Sequence, residues 1–456
     1  MNQQKRPNII WIFGDQHRGQ ALGFHGDPNV RTPVIDNLAR MGRDFPRAVS
    51  GAPWCCPFRG ALLTGAYPHS PGNGVIRTPG GLNPKSPTVS KPFKEAGYHT
   101  AYVGKWHLGH GNVQDGVVAP EARGGFDYWQ GYENNNNQEH CYVHGSDSET
   151  PVRLPGYETD SLTDIFIEHL QNHTGDGQDY KPFFAVLSVQ PPHNPYCNPK
   201  NNPYGPPRNP AEIELRKNVP EIPWVVEKSR QDHAGYYGMI ENLDWNIGRV
   251  LEAIKENDVD RDTYIIFFSD HGDMLGSHGQ WEKSAPWEES IRIPFIISHA
   301  RGAGGAMPCG PCDSIVNHVD IAPTTLGLCG IEAPDWMQGY DYSNTCKFAE
   351  NGWSIPEPKD DEPESAYLQQ IPRKFHPLCP NVAWRGVSMR DGWKYVCTPG
   401  QDWLLFNTKE DIYEIGNFVH NSMFAKVRER CWDELKAWID RTGDDFILPD
   451  RVQAPG

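Results

Sequence analysis

Asn8-Ile9-Ile10-Trp11-Ile12-Phe13-Gly14-Asp15-Gln16 decides the fold. A continuous apolar run bounded by polar residues reads as a parallel strand buried on both faces. The Asp that follows it stands at the carboxyl edge of the sheet, where α/β proteins place their ligands. Three further stretches repeat the pattern. Thr100-Ala101-Tyr102-Val103 runs into Gly104-Lys105-Trp106-His107, and Phe183 to Val189 runs into Gln190-Pro191-Pro192-His193. Thr263-Tyr264-Ile265-Ile266-Phe267-Phe268 ends in Ser269-Asp270-His271. Parallel strands bring their carboxyl ends to one edge, so Asp15, Lys105, His193 and Asp270 are expected to converge. Between them, Tyr237, Ile240, Ile247, Val250, Leu251 and Ile254 recur at helical spacing and predict a helix from His233 to Asp258.

Cys55-Cys56-Pro57-Phe58-Arg59-Gly60-Ala61-Leu62-Leu63-Thr64-Gly65 reads as a loop becoming a helix. Pro57 suits a first turn, Ala61 to Leu63 favour helix, and Gly65 suits its end. Cys55 then sits at a helix N-terminus, where free N–H groups and the dipole favour an anion. Arg59 adds positive charge one turn inside.

The chain has 456 residues, enough for one large α/β domain and a smaller appended unit. A formal net charge of −16 argues against nucleic-acid or anionic-membrane binding, while leaving room for a local cationic pocket. No apolar run approaches the ~20 residues needed to span a bilayer. Met1 to Pro7 leads directly into the first strand with no visible leader, which predicts a cytoplasmic protein, or a periplasmic or secreted one if a leader has been removed. Eleven cysteines, an odd number scattered along the chain, are no disulfide framework. Cys309-Gly310-Pro311-Cys312 lacks a second pair and reads as a loop.

Residues 111–180 show little periodicity; Asn134-Asn135-Asn136-Asn137 reads as an exposed loop and Ser161 to Leu170 as a short helix. Residues 1–345 are expected to form the main domain, and 346–380, rich in Pro, Glu, Asp and Lys, a connector. Residues 381–456 are expected to form a small C-terminal subdomain, with strands over Trp384 to Tyr395 and Leu404 to Tyr413 and a helix from Phe418 to Thr442.

Five of these stretches, in order, resemble the formylglycine-dependent (type I) sulfatases. Cys55-x-Pro57-x-Arg59 with Leu63-Thr64-Gly65 is similar to that family's modified-cysteine motif; Phe58 stands where most members carry a small residue. Asp15-Gln16 and Asp270-His271 match its metal-binding pairs, and Gly104-Lys105-Trp106-His107-Leu108-Gly109 matches a six-residue motif. Pro191-Pro192-His193-Asn194-Pro195-Tyr196 and Lys283 match sulfate-contacting positions. The resemblance implies an alkaline-phosphatase-like fold: a large, mixed, mostly parallel sheet flanked by helices, with a small C-terminal α+β subdomain.

It also implies that Cys55 is converted by a formylglycine-generating enzyme. A divalent cation would be held by Asp15, Gln16, Cys55, Asp270 and His271. Oxygen-rich donors favour Ca²⁺ or Mg²⁺, and one His admits Mn²⁺. Lys105, His193 and Lys283, with Asn73, would contact sulfate. His193 or Lys283 would protonate the leaving alcohol, and His107 would accept a proton in the second step. The expected substrate is a sulfated carbohydrate or a small aryl or alkyl sulfate. A phosphonate or phosphate ester hydrolase of the same fold is the alternative, disfavoured by the Lys105/His107 pair. A glycan-binding relative with an unconverted cysteine is a third reading, disfavoured by the complete metal set.

Overall fold

The computed structural model describes residues 6–70, 81–109, 116–173, 181–200, 202–301, 307–348, 360–371 and 382–451. Its centre is a ten-stranded sheet built from β1 (Asn8–Gly14), β2 (Arg43–Asp44), β3 (His99–Lys105), β4 (Tyr128–Tyr132) and β5 (Tyr142–Gly145), with β6 (Val152–Arg153), β7 (Phe183–Ser188), β8 (Thr263–Ser269), β9 (Phe295–His299) and β10 (Gly310–Pro311). Their order is β10-β2-β9-β8-β1-β7-β3-β4-β5-β6. The five central strands, β8 to β4 in that order, run parallel. β9 pairs antiparallel with β8 and β5 antiparallel with β4, which makes the sheet mixed.

Side-chain alternation along β1 explains the layers. Ile9, Trp11 and Phe13 enter one core with Phe58, Leu62, Phe184 and Phe268. Ile10 and Ile12 enter the other with Phe166, Leu243, Ile247 and Val250. Helices Cys55–Thr64 and Ile321–Leu328 therefore cover one face, and helices Glu158–His173 and Pro223–Glu256 the other. The last starts ten residues before the expected His233. Pro223 opens its first turn, and Val225 is buried against Val219 and Trp281. Residues 111–180 are not all loop: β4, β5 and β6 lie here, too short to show a period of two in sequence. Gly104 allows β3 to pass β7 closely. Its φ is +109°, and a Cβ there would lie 1.9 Å from the Ser188 carbonyl oxygen.

A second, antiparallel sheet runs in sequence order through β11 (Ser365–Gln370), β12 (Trp384–Met389), β13 (Trp393–Thr398) and β14 (Gln401–Asn407). Three expectations are corrected here. Trp384 to Tyr395 is two strands, because Gly392 at φ +104° turns the chain after Met389. Residues 365–370, inside the stretch read as a connector, supply an edge strand whose apolar side chains are buried. The final helix is Ala425–Thr442, and Asn421 caps a separate 3₁₀ turn before it. Cys431, Leu435, Trp438 and Ile439 on that helix pack on Tyr367, Val387, Tyr395 and Leu405 of the small sheet.

The two sheets are joined by polar contacts close to the strand ends of the large one. Gln369 N–H donates to Gly51 O at 2.7 Å, and the Trp384 indole to Ser284 O at 3.0 Å. Lys394, fully buried on β13, donates to Glu288 Oε1 at 3.0 Å and pairs with Glu414. Burial pushes the Glu414 carboxyl up, while Lys394 and Arg292 hold Glu288 down in spite of its burial. Removing the lysine strands two acids in a dry interface. Lys394→Ala should therefore destabilise the protein by about 3–5 kcal/mol, read as a lower urea midpoint. An unchanged midpoint would show that water or a neighbour replaces the cation.

Candidate active site

Four strand ends and one helix start meet at the carboxyl edge of the central sheet. Asp15 follows β1, Lys105 ends β3, His193 lies in the loop after β7, and Asp270 follows β8. Cys55 is the first residue of helix Cys55–Thr64, behind an extended Trp54. Gly65 ends that helix in the left-handed conformation, its N–H donating to Ala61 O at 2.8 Å. Phe58 is fully buried and stacks on His318 with centroids 5.1 Å apart, so a large residue fits at this position of the motif.

The Cys55 sulfur lies 3.5 Å from Asp15 Oδ1, 3.3 Å from His271 Nε2 and 3.4 Å from Lys283 Nζ. Lys105 Nζ donates to Asp15 Oδ2 at 2.6 Å. Arg59 spans the cluster: Nη2 lies 3.3 Å from Asp15 Oδ2 and Nε 3.4 Å from Asp270 Oδ2, and Nη1 donates to Lys105 O and Ser188 Oγ. Lys283 Nζ also donates to Gln16 Oε1 and to His193 Nε2, each at 2.8 Å. His193 Nδ1 donates to Asn194 O at 2.7 Å, which leaves Nε2 as the acceptor. His271 Nδ1 donates to Gly272 O at 2.9 Å, leaving its Nε2 lone pair toward the sulfur.

Sequence reasoning missed the supports of this cluster. Asp273 accepts from Gln16 Nε2 at 2.6 Å, from the Tyr196 hydroxyl, and from the backbone N–H groups of Leu275 and Glu282. With Nε2 on a carboxylate, the Gln16 oxygen is left to face Lys283. The spacing Asp270-His271-Gly272-Asp273 was the only trace of this role in the sequence. Ser188, the last residue of β7, was hidden inside an apolar strand. Asn73 lies outside the described residues. His107 lies beyond the end of β3, which stops at Lys105. Its φ is +57°, and the turn brings its side chain within hydrogen-bonding reach of Cys55. Gln16, Glu282 and Ser284 also hold positive φ, at +73°, +61° and +68°. Such backbone conformations persist only where surroundings impose them, and here they ring one cluster.

Burial opposes every charge in the site, and the neighbours decide the outcome. Lys105 and Lys283 hold Asp15 below the usual carboxylate range in spite of its burial. Burial and the charge of Asp15 push Asp270 up. Lys283, Lys105 and His271 pull the Cys55 thiol well down. Burial and Lys105 lower His107 to about 4, so its imidazole is neutral. Asp15, Cys55, Asp270 and His271 present ligand atoms all within 4.8 Å of one another. Asp270 Oδ2 is buried and accepts no hydrogen bond. Two facing carboxylates and an imidazole lone pair fit a divalent cation, which would add positive charge between Asp15 and Asp270.

This predicts a pH effect in metal-free protein. A carboxyl whose folded pKa is raised binds its proton more tightly in the native state, so its contribution falls as pH rises above the ordinary carboxylate range. Asp270→Asn should raise the melting temperature of metal-stripped protein near neutral pH, with less gain at acid pH. It should also abolish the stabilisation that divalent cations give wild type. A lower melting temperature at neutral pH in the stripped variant would contradict the raised Asp270 carboxyl.

Comparison with known proteins agrees with this geometry. The sulfatase family profile matches residues 7–331. An ulvan-active sulfatase from Formosa agariphila is 30% identical over 98% of this chain and 84% of its own length. An endo-4-O-sulfatase from Bacteroides thetaiotaomicron is 30% identical over 75% of this chain and 73% of its own. Among solved structures, a YidJ-type sulfatase from Bacteroides fragilis superposes with a TM-score of 0.83 at 26% identity, covering 98% of both chains. The chain belongs to the sulfatase family and is a sulfuric ester hydrolase.

Proposed function

We propose that this enzyme removes sulfate from a sulfated carbohydrate, using Cys55 in its formylglycine form. The observation that carries the reading is the placement of the Cys55 sulfur. It lies between the Asp15–Asp270–His271 cluster on one side and the Lys283–His193 pair on the other. A formylglycine hydrate would supply an oxygen nucleophile there, and Asp15, Asp270, His271 and the Gln16 oxygen would hold a divalent cation, whose charge would favour binding of the anionic sulfate. Mainly oxygen donors favour Ca²⁺.

The side chains then divide the work. Lys105 and Lys283 neutralise sulfate oxygens, and Lys105 keeps Asp15 ionised. His193 or Lys283, joined by a 2.8 Å hydrogen bond, delivers a proton to the departing alcohol. His107, neutral and beside Cys55, accepts the hydroxyl proton that must leave before inorganic sulfate is released. Arg59 reaches Asp15, Asp270 and Lys105 O, and so fixes the carboxylates rather than touching substrate. The carbohydrate preference draws support from the relatives, whose names specify ulvan and an endo-4-O-sulfate. A small aryl or alkyl sulfate, and a phosphonate or phosphate ester, are the competing substrates.

Protein made alongside a formylglycine-generating enzyme should carry a Cys55 peptide lighter by the difference between H₂S and O, with Cys56 unchanged. It should release sulfate from sulfated oligosaccharides faster than phosphate from matched phosphate esters. Full activity with Cys55 unmodified, or a preference for the phosphate ester, would refute the proposal. His107→Ala should lower kcat by about 10²–10⁴-fold, the range for one general acid–base group. Exhaustive chelation should abolish turnover and Ca²⁺ restore it, whereas turnover that survives chelation would remove the cation from the reading.

A further inference from the structure

The described residues hold a second cluster of metal-ligating side chains, at the opposite edge of the sheet. His99 is the first residue of β3 and Lys105 its last, so the two lie about 20 Å apart along the strand. His169 and His173 sit four apart on helix Glu158–His173, on one face of its last turn. All three imidazoles offer a nitrogen within 4.8 Å of the others. His99 Nε2 lies 3.1 Å from His169 Nε2. Nothing in sulfate ester hydrolysis uses this group, and it touches no residue of the site at Cys55.

We propose that His99, His169 and His173 form a second metal site, selective for a borderline transition ion such as Zn²⁺, that ties the C-terminal end of helix Glu158–His173 to the amino edge of the sheet. Donor chemistry separates the two centres. The site at Cys55 is rich in carboxylate oxygen and suits a hard cation, whereas three imidazoles suit Zn²⁺, Ni²⁺ or Cu²⁺ and not Ca²⁺ or Mg²⁺.

The surroundings prepare the ring nitrogens. His173 Nδ1 donates to His169 O at 2.8 Å, which leaves Nε2 as its ligand atom. His99 Nδ1 faces Asp127 Oδ2 at 3.9 Å. Asp127 is itself held by Thr100 N and Oγ1, each at 3.0 Å, and by Lys94 at 2.7 Å. The carboxylate is thus held where a rotated His99 ring can donate its Nδ1–H to it, the kind of partner that orients a ligating imidazole. Tyr128 stacks on His169 with ring centroids 3.9 Å apart.

The rings are stacked, His99 on His173 at 4.3 Å and 8°, and His169 on His173 at 4.1 Å and 33°. Capture of an ion requires them to fan by side-chain rotation while the backbone stays in place. His169 is buried and His173 exposed, so the ion's remaining position opens toward solvent.

The test uses tag-free, metal-stripped protein carrying Asp270→Asn and Cys55→Ser, which leaves only Asp15 and His271 of the four donors at Cys55, titrated with ZnCl₂ by calorimetry and assayed for bound zinc after dialysis. One equivalent of Zn²⁺ is expected, with a rise in melting temperature that CaCl₂ does not reproduce. His173→Gln changes an exposed residue and leaves the core untouched. It should weaken Zn²⁺ binding at least tenfold and remove the thermal shift, while leaving sulfate release by the otherwise wild-type enzyme unchanged. His169→Gln should do the same to binding. Co²⁺ in place of Zn²⁺ should give the visible absorption of a four-coordinate nitrogen site, lost in His173→Gln. Equal zinc content and equal thermal shift with and without His173→Gln would overturn the proposal, as would Ca²⁺ stabilising the protein with Asp270→Asn and Cys55→Ser as well as Zn²⁺ does.

Discussion

Two carboxylates, Asp15 and Asp270, are buried face to face at the end of adjacent parallel strands, and Arg59 holds both. Neither acid has water to solvate it, so the pair exists only because cations surround it. Arg59 comes from the helix that carries Cys55, Lys105 from the end of β3, and Lys283 from the loop after β8. Each therefore ties a separate element to the same point. Loss of register in any one of them would leave an unpaired charge in a dry environment, which makes the site a constraint on the fold as well as its product.

That arrangement explains why the position of Cys55 is so crowded. Cys55 gains its electrostatic setting from helix geometry and from Lys105, Lys283 and His271, not from one partner. The neutral imidazoles of His107 and His193 are kept neutral by burial and by the same lysines. In the proposed reaction, the groups that move protons thus remain uncharged beside groups that hold charge. Such separation of roles by environment is how one site carries acid, base and anion-binding functions together.

The small sheet contributes rigidity to this region. Its β12 tryptophan, Trp384, holds the carbonyl of Ser284, next to Lys283, and its β13 lysine neutralises Glu288 and Glu414 at the junction. The loop bearing Lys283 takes positive φ on either side of the lysine, a conformation that needs such outside support. The C-terminal sheet therefore supports the loop that lines the candidate site and is not only an appendage.

The sequence by itself determined the central strands, the polar residue at each strand end and the helix start at Cys55. These are local properties: unbroken apolar runs can only be buried, and parallel strands must end at one edge. It also carried the family, because the motifs are short, contiguous and ordered. Tertiary structure alone decided the rest. Short strands such as β5 and β6 have too few residues for a readable period, and β11 lay in a stretch whose composition spoke for a linker. Asp273 and Ser188 act through contacts across the sheet that no spacing encodes. His107 reaches Cys55 through a left-handed turn rather than along a strand. The His99–His169–His173 group joins residues 70 positions apart, which only the packing of a helix against a strand brings together.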